Sequence, residues 1–289
     1  MSLSQRSENA ILTAPLVLFL LALLGFPTVL DIVYSLSDVS FETLRAPTFT
    51  GLDNFRAVLA DPDFWQATWF SLSFAVLTSV AECVLGLALA IYFSPILRRA
   101  PWMLAILIMP MIIAPAMMGL MYRLVLHEFI GPLPNYLYNW FGVSYGFLTA
   151  QNVFTTIFVI ETLQWTPFAL LLFHMAYESI PEDIREAASV DGTRTWRMLT
   201  RIELPLMLPT LGVALFIRFI DGFRVFDNIW TLTGTGPGGS TTSLSIYIYV
   251  AFFRSGEIGQ AIAASMILFA AAFLVLFVAA RRGRGKETA

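Results

Sequence analysis

Four ionisable side chains lie inside long apolar runs of this sequence: Glu82, Glu161, Arg218 and Asp221. A charge at the centre of a bilayer costs about 2.5–3.5 kcal/mol on insertion scales, so such residues usually face a partner or a water-filled path. Arg218, Asp221 and Arg224 are spaced by three, so that neighbours can pair on one helical face. One interpretation is that these groups neutralise one another and hold their helix to its neighbours. The other is that they line the path of a transported solute.

A second polar feature is the stretch EAASVDGTRTWRMLTRIELPLMLP, residues 186–209, which lies between two very hydrophobic runs. Counting Arg185, it holds four arginines and three acids. Pro181, followed by acids, predicts a helix N-terminus, and Gly192 predicts the end of that helix. A second short helix fits Thr193–Thr200. We therefore expect two short helices joined by a glycine turn, lying along the cytoplasmic face.

The first of these helices has a small apolar face, made of Ile184, Ala187 and Ala188. Such a face allows another surface to come close, because alanine has a short side chain and favours the helix. The helix could lie on lipid headgroups, as many amphipathic helices do. The alternative is that it docks into another protein.

The composition places the chain in a membrane. Its 289 residues are 57% hydrophobic and 13% charged, whereas soluble domains average about 25% charged residues. A spanning helix needs about 20 mostly apolar residues. Six segments qualify, which predicts an all-α integral membrane fold: Ile11–Leu30, Trp69–Phe93, Trp102–Leu126, Val153–Tyr177, Leu204–Phe226 and Ile258–Ala280. We read the first as a retained span rather than a cleaved signal peptide.

The distribution of basic residues predicts the orientation, because cytoplasmic loops are rich in Arg and Lys. With the N-terminus in the cytoplasm, the inner segments hold eleven basic residues and the outer segments three. The inner ones are Arg6, Arg98, Arg99, Arg185, Arg194, Arg197, Arg201, Arg281, Arg282, Arg284 and Lys286, and the outer ones are Arg45, Arg56 and Arg254. We expect both termini in the cytoplasm.

The polar stretch also resembles the EAA motif of importer permeases in the ATP-binding cassette (ABC) class. That motif reads E-A-A, three residues, G, nine residues, I-x-L-P, and every fixed position matches here with the correct spacing. GLDNFRAVLADPDFW (Gly51–Trp65) resembles the loop before the second span of carbohydrate-type permeases. RVFDNIWTLTGTGPGGSTTSLSIYIY (Arg224–Tyr249) resembles their stretch after the fifth span, usually LTGGGP, with Thr235 in place of the middle glycine. The resemblance covers nearly the whole chain and is to the first permease of the pair in maltose-type importers.

This resemblance implies a type I ABC importer permease fold in one permease domain, residues 1–289, with a cytoplasmic coupling loop at about 181–203. It implies an inner (cytoplasmic) membrane location in a bacterium, surrounded by lipid, and no nucleic acid partner. The implied partners are a second permease subunit, two ATPase subunits and an extracytoplasmic solute-binding protein. Glu186 would pair with a basic group on the ATPase, and Gly192 would permit the turn. The implied coupling residues are Glu186, Ala187, Ala188, Asp191, Gly192, Ile202, Leu204 and Pro205.

The resemblance also places the residues just before LTGTGP near the sugar site. Aromatic faces with amide or guanidinium donors suit a polyhydroxylated ligand. Trp165-Thr166-Pro167 further predicts a break in the fourth helix, and broken helices are common at transport sites. Because arginine forks fit oxyanions, a phosphorylated or sulfonated sugar or polyol is the alternative substrate. The expected substrate path is Gln164, Trp165, Phe223, Arg224, Asn228, Arg218 and Asp221.

Other patterns argue against chemistry on the chain itself. GTGPGGST (Gly234–Thr241) lacks the lysine of a phosphate-binding loop, and the only lysine of the chain is Lys286. We therefore expect no cofactor on this chain, with ATP and Mg²⁺ on the partner ATPase, and no enzyme activity. His127-Glu128 is not followed by a second histidine at metal-binding spacing, so we expect no metal. Rival classes are a stand-alone secondary transporter, which usually carries an inverted repeat, and a structural membrane scaffold.

Overall fold

The computed structural model describes residues 5–191, 193 and 195–284, and it is almost wholly helical there. Gly192, Arg194 and Lys286, which the sequence singled out, lie outside the described residues. The described chain forms two compact units, one within residues 1–65 and 247–289 and the other within residues 66–246.

The elements before the second long span are α1 (Gln5–Leu20), a π-helical turn (Leu21–Gly25), α2 (Phe26–Ser35), β1 (Ser37–Asp38), β2 (Thr48–Phe49) and α3 (Asp53–Ala60). The next are α4 (Pro62–Leu97), α5 (Trp102–Leu107), α6 (Met109–Ile112), α7 (Pro115–Val125), α8 (Pro132–Phe141) and α9 (Val153–Glu178). Then follow α10 (Glu182–Val190), α11 (Thr195–Met198), a π-helical segment (Leu199–Glu203) and α12 (Leu204–Phe223). The last are α13 (Asp227–Thr233), a 3₁₀ turn (Pro237–Gly239), α14 (Leu244–Tyr249), a π-helical segment (Val250–Ser255) and α15 (Ile258–Arg284).

The first unit is built around α2, α3 and α15, with a short antiparallel hairpin of β1 and β2. Val39, Ile258 and Ile262 form its buried apolar cluster. The amide of Asn54 donates to the carbonyl oxygens of Ser35 and Ser37, at 3.0 and 2.8 Å. These two bonds tie α3 to the end of α2 and to the hairpin.

The second unit packs α4, α9 and α12 around a core that includes Cys83, Phe173 and Met207. Helices in lipid approach closely where small residues face each other. At Gly86 on α4 an added Cβ would lie 2.5 Å from the Cβ of Ala169 on α9, so only glycine fits there. The close approach of α4 and α9 therefore depends on this glycine.

Four described helical stretches are long and apolar enough to cross a membrane: Leu12–Ser35, Pro62–Leu97, Val153–Glu178 and Trp196–Phe223. They agree with the first, second, fourth and fifth predicted spans, and each extends beyond the prediction at one or both ends. The predicted sixth span lies within α15.

The predicted third span, Trp102–Leu126, is wrong as a single helix. It is divided into α5, α6 and α7, and the backbone is extended at Ile113 and Ala114. The physical reason is Pro115, because the residue before a proline is driven out of the helical conformation. A short stretch of non-helical backbone therefore interrupts this apolar segment.

The predicted break at Trp165-Thr166-Pro167 is also wrong, because α9 runs without interruption through Pro167. Proline removes one backbone donor, and neighbouring helices and Thr side chains can compensate in membrane helices. Here Thr166 and Pro167 are buried, and the Thr166 hydroxyl donates to the carbonyl of Thr162 at 2.6 Å. Packing holds the helix together at this proline.

The predicted second short helix, Thr193–Thr200, is not a separate element. From Thr195 onward α11, the π-helical segment Leu199–Glu203 and α12 follow one another without a gap. The π-helical segment ends at Glu203, two residues before Pro205, and such bulges are among the known causes of irregularity in a helix. The fifth span therefore begins within the polar stretch, about two turns earlier than predicted.

Candidate functional site

The side chain of Arg218 on α12 lies at the centre of a buried polar cluster and is 1% exposed. Its Nε donates to Glu82 Oε2 at 2.5 Å and its Nη2 to Glu82 Oε1 at 3.3 Å. Nη2 also lies 3.7 Å from Glu161 Oε1, and Nη1 lies 3.3 Å from Asp221 Oδ2. Three helices, α4, α9 and α12, are thus joined by one guanidinium.

The four ionisable residues that the sequence predicted to need partners meet in this cluster. The spacing by three predicted that Asp221 pairs with both Arg218 and Arg224. Both pairs form, at 3.3 Å from Arg218 Nη1 and at 3.9 Å from Arg224 Nε. The sequence did not indicate that Glu82 and Glu161 are the main partners of Arg218. The sequence does show opposite charges in separate spans, which indicates that pairs will form. Hydropathy does not say which of these charges pair with each other.

A second set of hydrogen bonds extends the cluster toward the interrupted segment. Asn228 Nδ2, on α13, donates to Glu161 Oε2 at 2.5 Å and to Gln164 Oε1 at 2.9 Å. Gln164 Nε2 donates to the carbonyl of Ile113 at 2.9 Å, at the extended backbone between α6 and α7. A buried glutamine therefore satisfies a carbonyl that the broken helix leaves without its usual donor.

The exposed edge of the cluster, formed by Trp165, Asp221, Phe223 and Arg224, combines aromatic faces with charged groups. The guanidinium of Arg218 lies 4.5 Å from the ring centre of Trp165, a cation–π distance. Trp165 and Phe223 are partly exposed, and the side chain of Arg224 is 70% exposed. Of the seven predicted path residues, Gln164, Asn228 and Arg218 are buried, whereas Trp165, Phe223, Asp221 and Arg224 lie at the edge. Asn228 bonds to Gln164, and Glu161 links Asn228 to Arg218.

The charges in the cluster are unequal. Two buried carboxylates and the half-exposed Asp221 surround the single buried guanidinium of Arg218. The positive charge of Arg218 is therefore compensated within the chain, and Arg224 is the guanidinium that the edge presents to its surroundings.

The predicted coupling residues that the structure describes lie on α10, at Asp191 directly after it, and around the start of α12. Glu186, Ala187, Asp191 and Pro205 are exposed, Ile202 and Leu204 are half-buried, and Ala188 is buried. The predicted apolar face of α10 is thus divided, because Ala188 faces the protein while Ile184 and Ala187 are exposed. The backbone N–H of Thr193 donates to the carbonyl of Ala188 at 3.0 Å, which closes the end of α10.

Ion pairs tie this region to the spans. Arg98, directly after α4, donates to Glu178 at the end of α9 at 2.7 and 2.9 Å, and this hydrogen bond raises the pKa of the Arg98 guanidinium. Arg185 on α10 donates to Glu203 at 3.0 Å. No group of three or more metal-ligating side chains occurs within the described residues.

Apolar spanning helices around a buried ionic cluster, with a polar helix at the end of the spans, define a multi-pass membrane transport subunit. The chain belongs to the family described as binding-protein-dependent transport system inner membrane component, whose sequence profile matches residues 3–283. It is a permease of the ABC importer class in the inner membrane. It is a transport subunit and not an enzyme.

Several similar proteins are transport-system permeases whose names include a sugar or glycoside. The trehalose/maltose permease MalF of Thermococcus litoralis is 33% identical over 249 residues, covering 86% of this chain and 83% of the relative. The trehalose permease SugA of Mycobacterium tuberculosis is 31% identical, covering 96% and 88%. The sulfoquinovosyl glycerol permease SmoG of Agrobacterium fabrum is 28% identical, covering 99% and 94%.

The fold agrees with that of a solved importer. A chain of a bacterial ABC transporter that imports the acidic polysaccharide alginate superposes with a TM-score of 0.81 over 96% of both chains, at 22% identity. The chain therefore has the type I ABC importer permease fold that the sequence predicted.

Proposed function

We propose that this chain forms one half of the translocation path of an ATP-driven importer for a sugar, polyol or related glycoside. The observation that carries the proposal is the combination of the family with two relatives above 30% identity that are described as permeases for trehalose or maltose. The second half of the path is a similar permease subunit. Solute is delivered by an extracytoplasmic binding protein, in keeping with the family description.

The proposed orientation puts both termini, α10 and α11 in the cytoplasm. It is supported by the bias of basic residues toward the segments on that side. In this orientation α10 docks onto one of two ATPase subunits, which hold ATP and Mg²⁺. The EAA spacing supports this assignment, and so does the exposure of Glu186, Ala187 and Asp191 at and directly after α10.

In the docked complex Glu186 contributes a charge that fixes the register, and Gly192 allows the chain to turn. Closure of the two ATPases on ATP moves the two coupling helices together, and the spans follow. The proposed coupling residues remain Glu186, Ala187, Ala188, Asp191, Gly192, Ile202, Leu204 and Pro205.

The proposed substrate path passes the exposed edge of the buried cluster. Trp165 and Phe223 offer aromatic faces, and Arg224 offers a guanidinium that can donate to sugar hydroxyls. Behind them Gln164, Asn228 and Arg218 hold the edge in place through the hydrogen bonds of the cluster, with Asp221 between Arg218 and Arg224. Contact of sugar rings with aromatic faces and polar donors is the usual chemistry of small-molecule sites.

A neutral substrate is favoured over an anionic one by the charge balance. The positive charge of Arg218 is compensated by Glu82, Glu161 and Asp221, so it is not available to an anion.

The second candidate substrate is a sulfonated or phosphorylated glycoside. It is supported by the likeness to the sulfoquinovosyl glycerol permease and by the exposed guanidinium of Arg224.

The experiment is co-expression of the chain with the products of its neighbouring genes, purification by a tag on this chain and identification of the copurified proteins by mass. The assembly is then placed in liposomes with its binding protein, and uptake of labelled trehalose, maltose and a sulfonated glycoside is measured with and without ATP. Copurification of an ATPase and ATP-dependent uptake of a neutral sugar support the proposal. Uptake by the chain alone without ATP contradicts it, and exclusive uptake of the sulfonated compound selects the second candidate.

A further inference from the structure

Arg185 on α10 contacts two different spans at once. Its Nε donates to Glu203 Oε1 at 3.0 Å, directly before α12, and its Nη2 donates to the backbone carbonyl of Tyr177 at 2.9 Å, near the end of α9. Its guanidinium also lies 4.1 Å from the centre of the Tyr177 ring. The planar fork of arginine suits such a combination of contacts, which lysine cannot reproduce.

This ion pair differs from an ordinary surface pair in its burial. The side chains of Arg185 and Glu203 are 14% and 7% exposed, whereas those of Arg98 and Glu178 nearby are 42% and 31% exposed. Exposed pairs contribute little to stability because water screens them. Loss of one partner from a largely buried pair leaves the other charge uncompensated, which is strongly unfavourable. The Arg185–Glu203 contact is therefore hard to separate while both residues are present.

The position of Glu203 makes this contact mechanically useful. Glu203 belongs to the continuous helical stretch Trp196–Phe223. Arg218 is fifteen positions further along, which is about 22 Å at the rise of an α-helix. If Glu203 moves, the helical stretch Trp196–Phe223 transmits the movement to Arg218, whose guanidinium joins α4, α9 and α12.

We propose that Arg185 and Glu203 form a strut that carries the movement of α10 directly into α12, and that Arg185 is a positioning residue for coupling. The backbone also joins the two helices, but only through the connecting residues 191–194. The strut bypasses that connection and makes α10 move as one body with the cytoplasmic ends of α9 and α12. The inference rests on the proposed function, in which α10 docks onto an ATPase.

The test uses the whole purified assembly in liposomes and compares solute uptake with ATP hydrolysis. Arg185→Glu and Glu203→Arg each place like charges at the strut, and the double variant R185E/E203R restores an opposite-charge pair. We expect each single variant to lower the solute transported per ATP by about tenfold, within the usual range of coupling between sites. The double variant is expected to recover most of this loss, because the two changes act on one contact.

The matched control is the exposed pair of Arg98 and Glu178. It joins the end of α4 to the end of α9. Among the described residues its further ion pair is the exposed 3.9 Å contact of Arg98 with Glu182 on α10, and it forms none with α12. Arg98→Glu, Glu178→Arg and their double variant are expected to change the uptake per ATP by less than about twofold, as for other exposed pairs. If the control variants lose as much uptake per ATP as the Arg185 and Glu203 variants, the strut is overturned. Any charge reversal in this region would then uncouple the assembly.

A double cysteine variant keeps the test decisive if the charge reversals fail to assemble. R185C/E203C removes both charges, and a bifunctional maleimide can then bridge the two thiols. We expect weak coupling before bridging and recovery after it. Wild-type coupling in the unbridged cysteine variant, or in the single charge reversals, would overturn the strut alone. A wild-type assembly whose uptake does not depend on ATP would overturn the proposed function as well.

Discussion

Glu82 on α4 and Arg218 on α12, separated by 136 positions in the chain, form a two-point ion pair with distances of 2.5 and 3.3 Å. Both side chains are buried, with exposed fractions of 0% and 1%. Glu161 approaches the same guanidinium only to 3.7 Å and receives its hydrogen bond from Asn228 instead. The two carboxylates therefore have different roles, although both lie in predicted spans.

Glu82→Gln is expected to destabilise the assembly more than Glu161→Gln. The first change removes the two-point partner of a buried guanidinium, and breaking such a pair costs about 3–5 kcal/mol in soluble proteins. The second leaves Arg218 paired with Glu82, and a glutamine carbonyl can still accept from Asn228. The measurement is the apparent Tm of each variant in lipid nanodiscs. Equal shifts for the two variants, or a larger one for Glu161→Gln, would show that the cluster is not centred on Glu82.

Gly86→Ala is expected to disturb the packing of α4 on α9. The new Cβ would lie 2.5 Å from Ala169 Cβ, and overpacking of this kind costs about 1–3 kcal/mol. Gly212→Ala is the matched control, because a Cβ added there would meet no atom within 4 Å and alanine favours a helix. We expect a lower apparent Tm for the first variant and an unchanged or higher one for the second. Similar behaviour of both glycines would contradict the close approach of α4 and α9.

Gln164→Ala combined with Arg224→Ala is expected to impair uptake in two separable ways. Loss of Arg224 removes a donor at the exposed edge and raises the KM for sugar. Loss of Gln164 leaves the carbonyl of Ile113 without its donor, at a cost of about 1–3 kcal/mol, and leaves the Asn228 amide with Glu161 as its remaining acceptor. Concentration-dependent uptake by the single and double variants checks this, with ATP hydrolysis measured alongside. Unchanged uptake kinetics in the double variant would remove these residues from the proposed path.

Gly192→Asp is expected to leave the chain inserted and assembled but to uncouple ATP hydrolysis from uptake. A bulky acidic side chain would prevent the turn after α10 that the EAA spacing assigns to this glycine. Membrane insertion, copurification of the ATPase, ATP hydrolysis and uptake are each measured. Normal uptake by this variant would exclude the proposed role of Gly192.

Much of the architecture could be predicted locally. Apolar runs of sufficient length located four spans that the structure shows as long helices, because transfer into lipid depends on composition over about 20 residues. The helix signals around Pro181 likewise placed α10, since capping and proline effects act within one turn. The spacing of Arg218, Asp221 and Arg224 predicted pairs that do form.

The effect of the prolines could not be read from their positions. Pro115 is accompanied by extended backbone at Ala114, whereas α9 continues through Pro167 and the fifth span continues through Pro205. A proline removes the same donor in each case, but whether the helix survives depends on what packs around it and what satisfies the freed groups. Hydropathy and spacing carry no information on those neighbours.

The sequence alone therefore predicted a membrane permease with a polar segment between two spans, and it named the charged residues that need partners. Which residues become partners was decided by tertiary structure: Glu82 with Arg218, Gln164 with the carbonyl of Ile113, and Arg185 with Glu203. The reason is physical. The membrane environment and helix propensity act on neighbouring residues in the chain, whereas a buried charge is satisfied by whichever group the packing of distant helices brings within hydrogen-bonding distance.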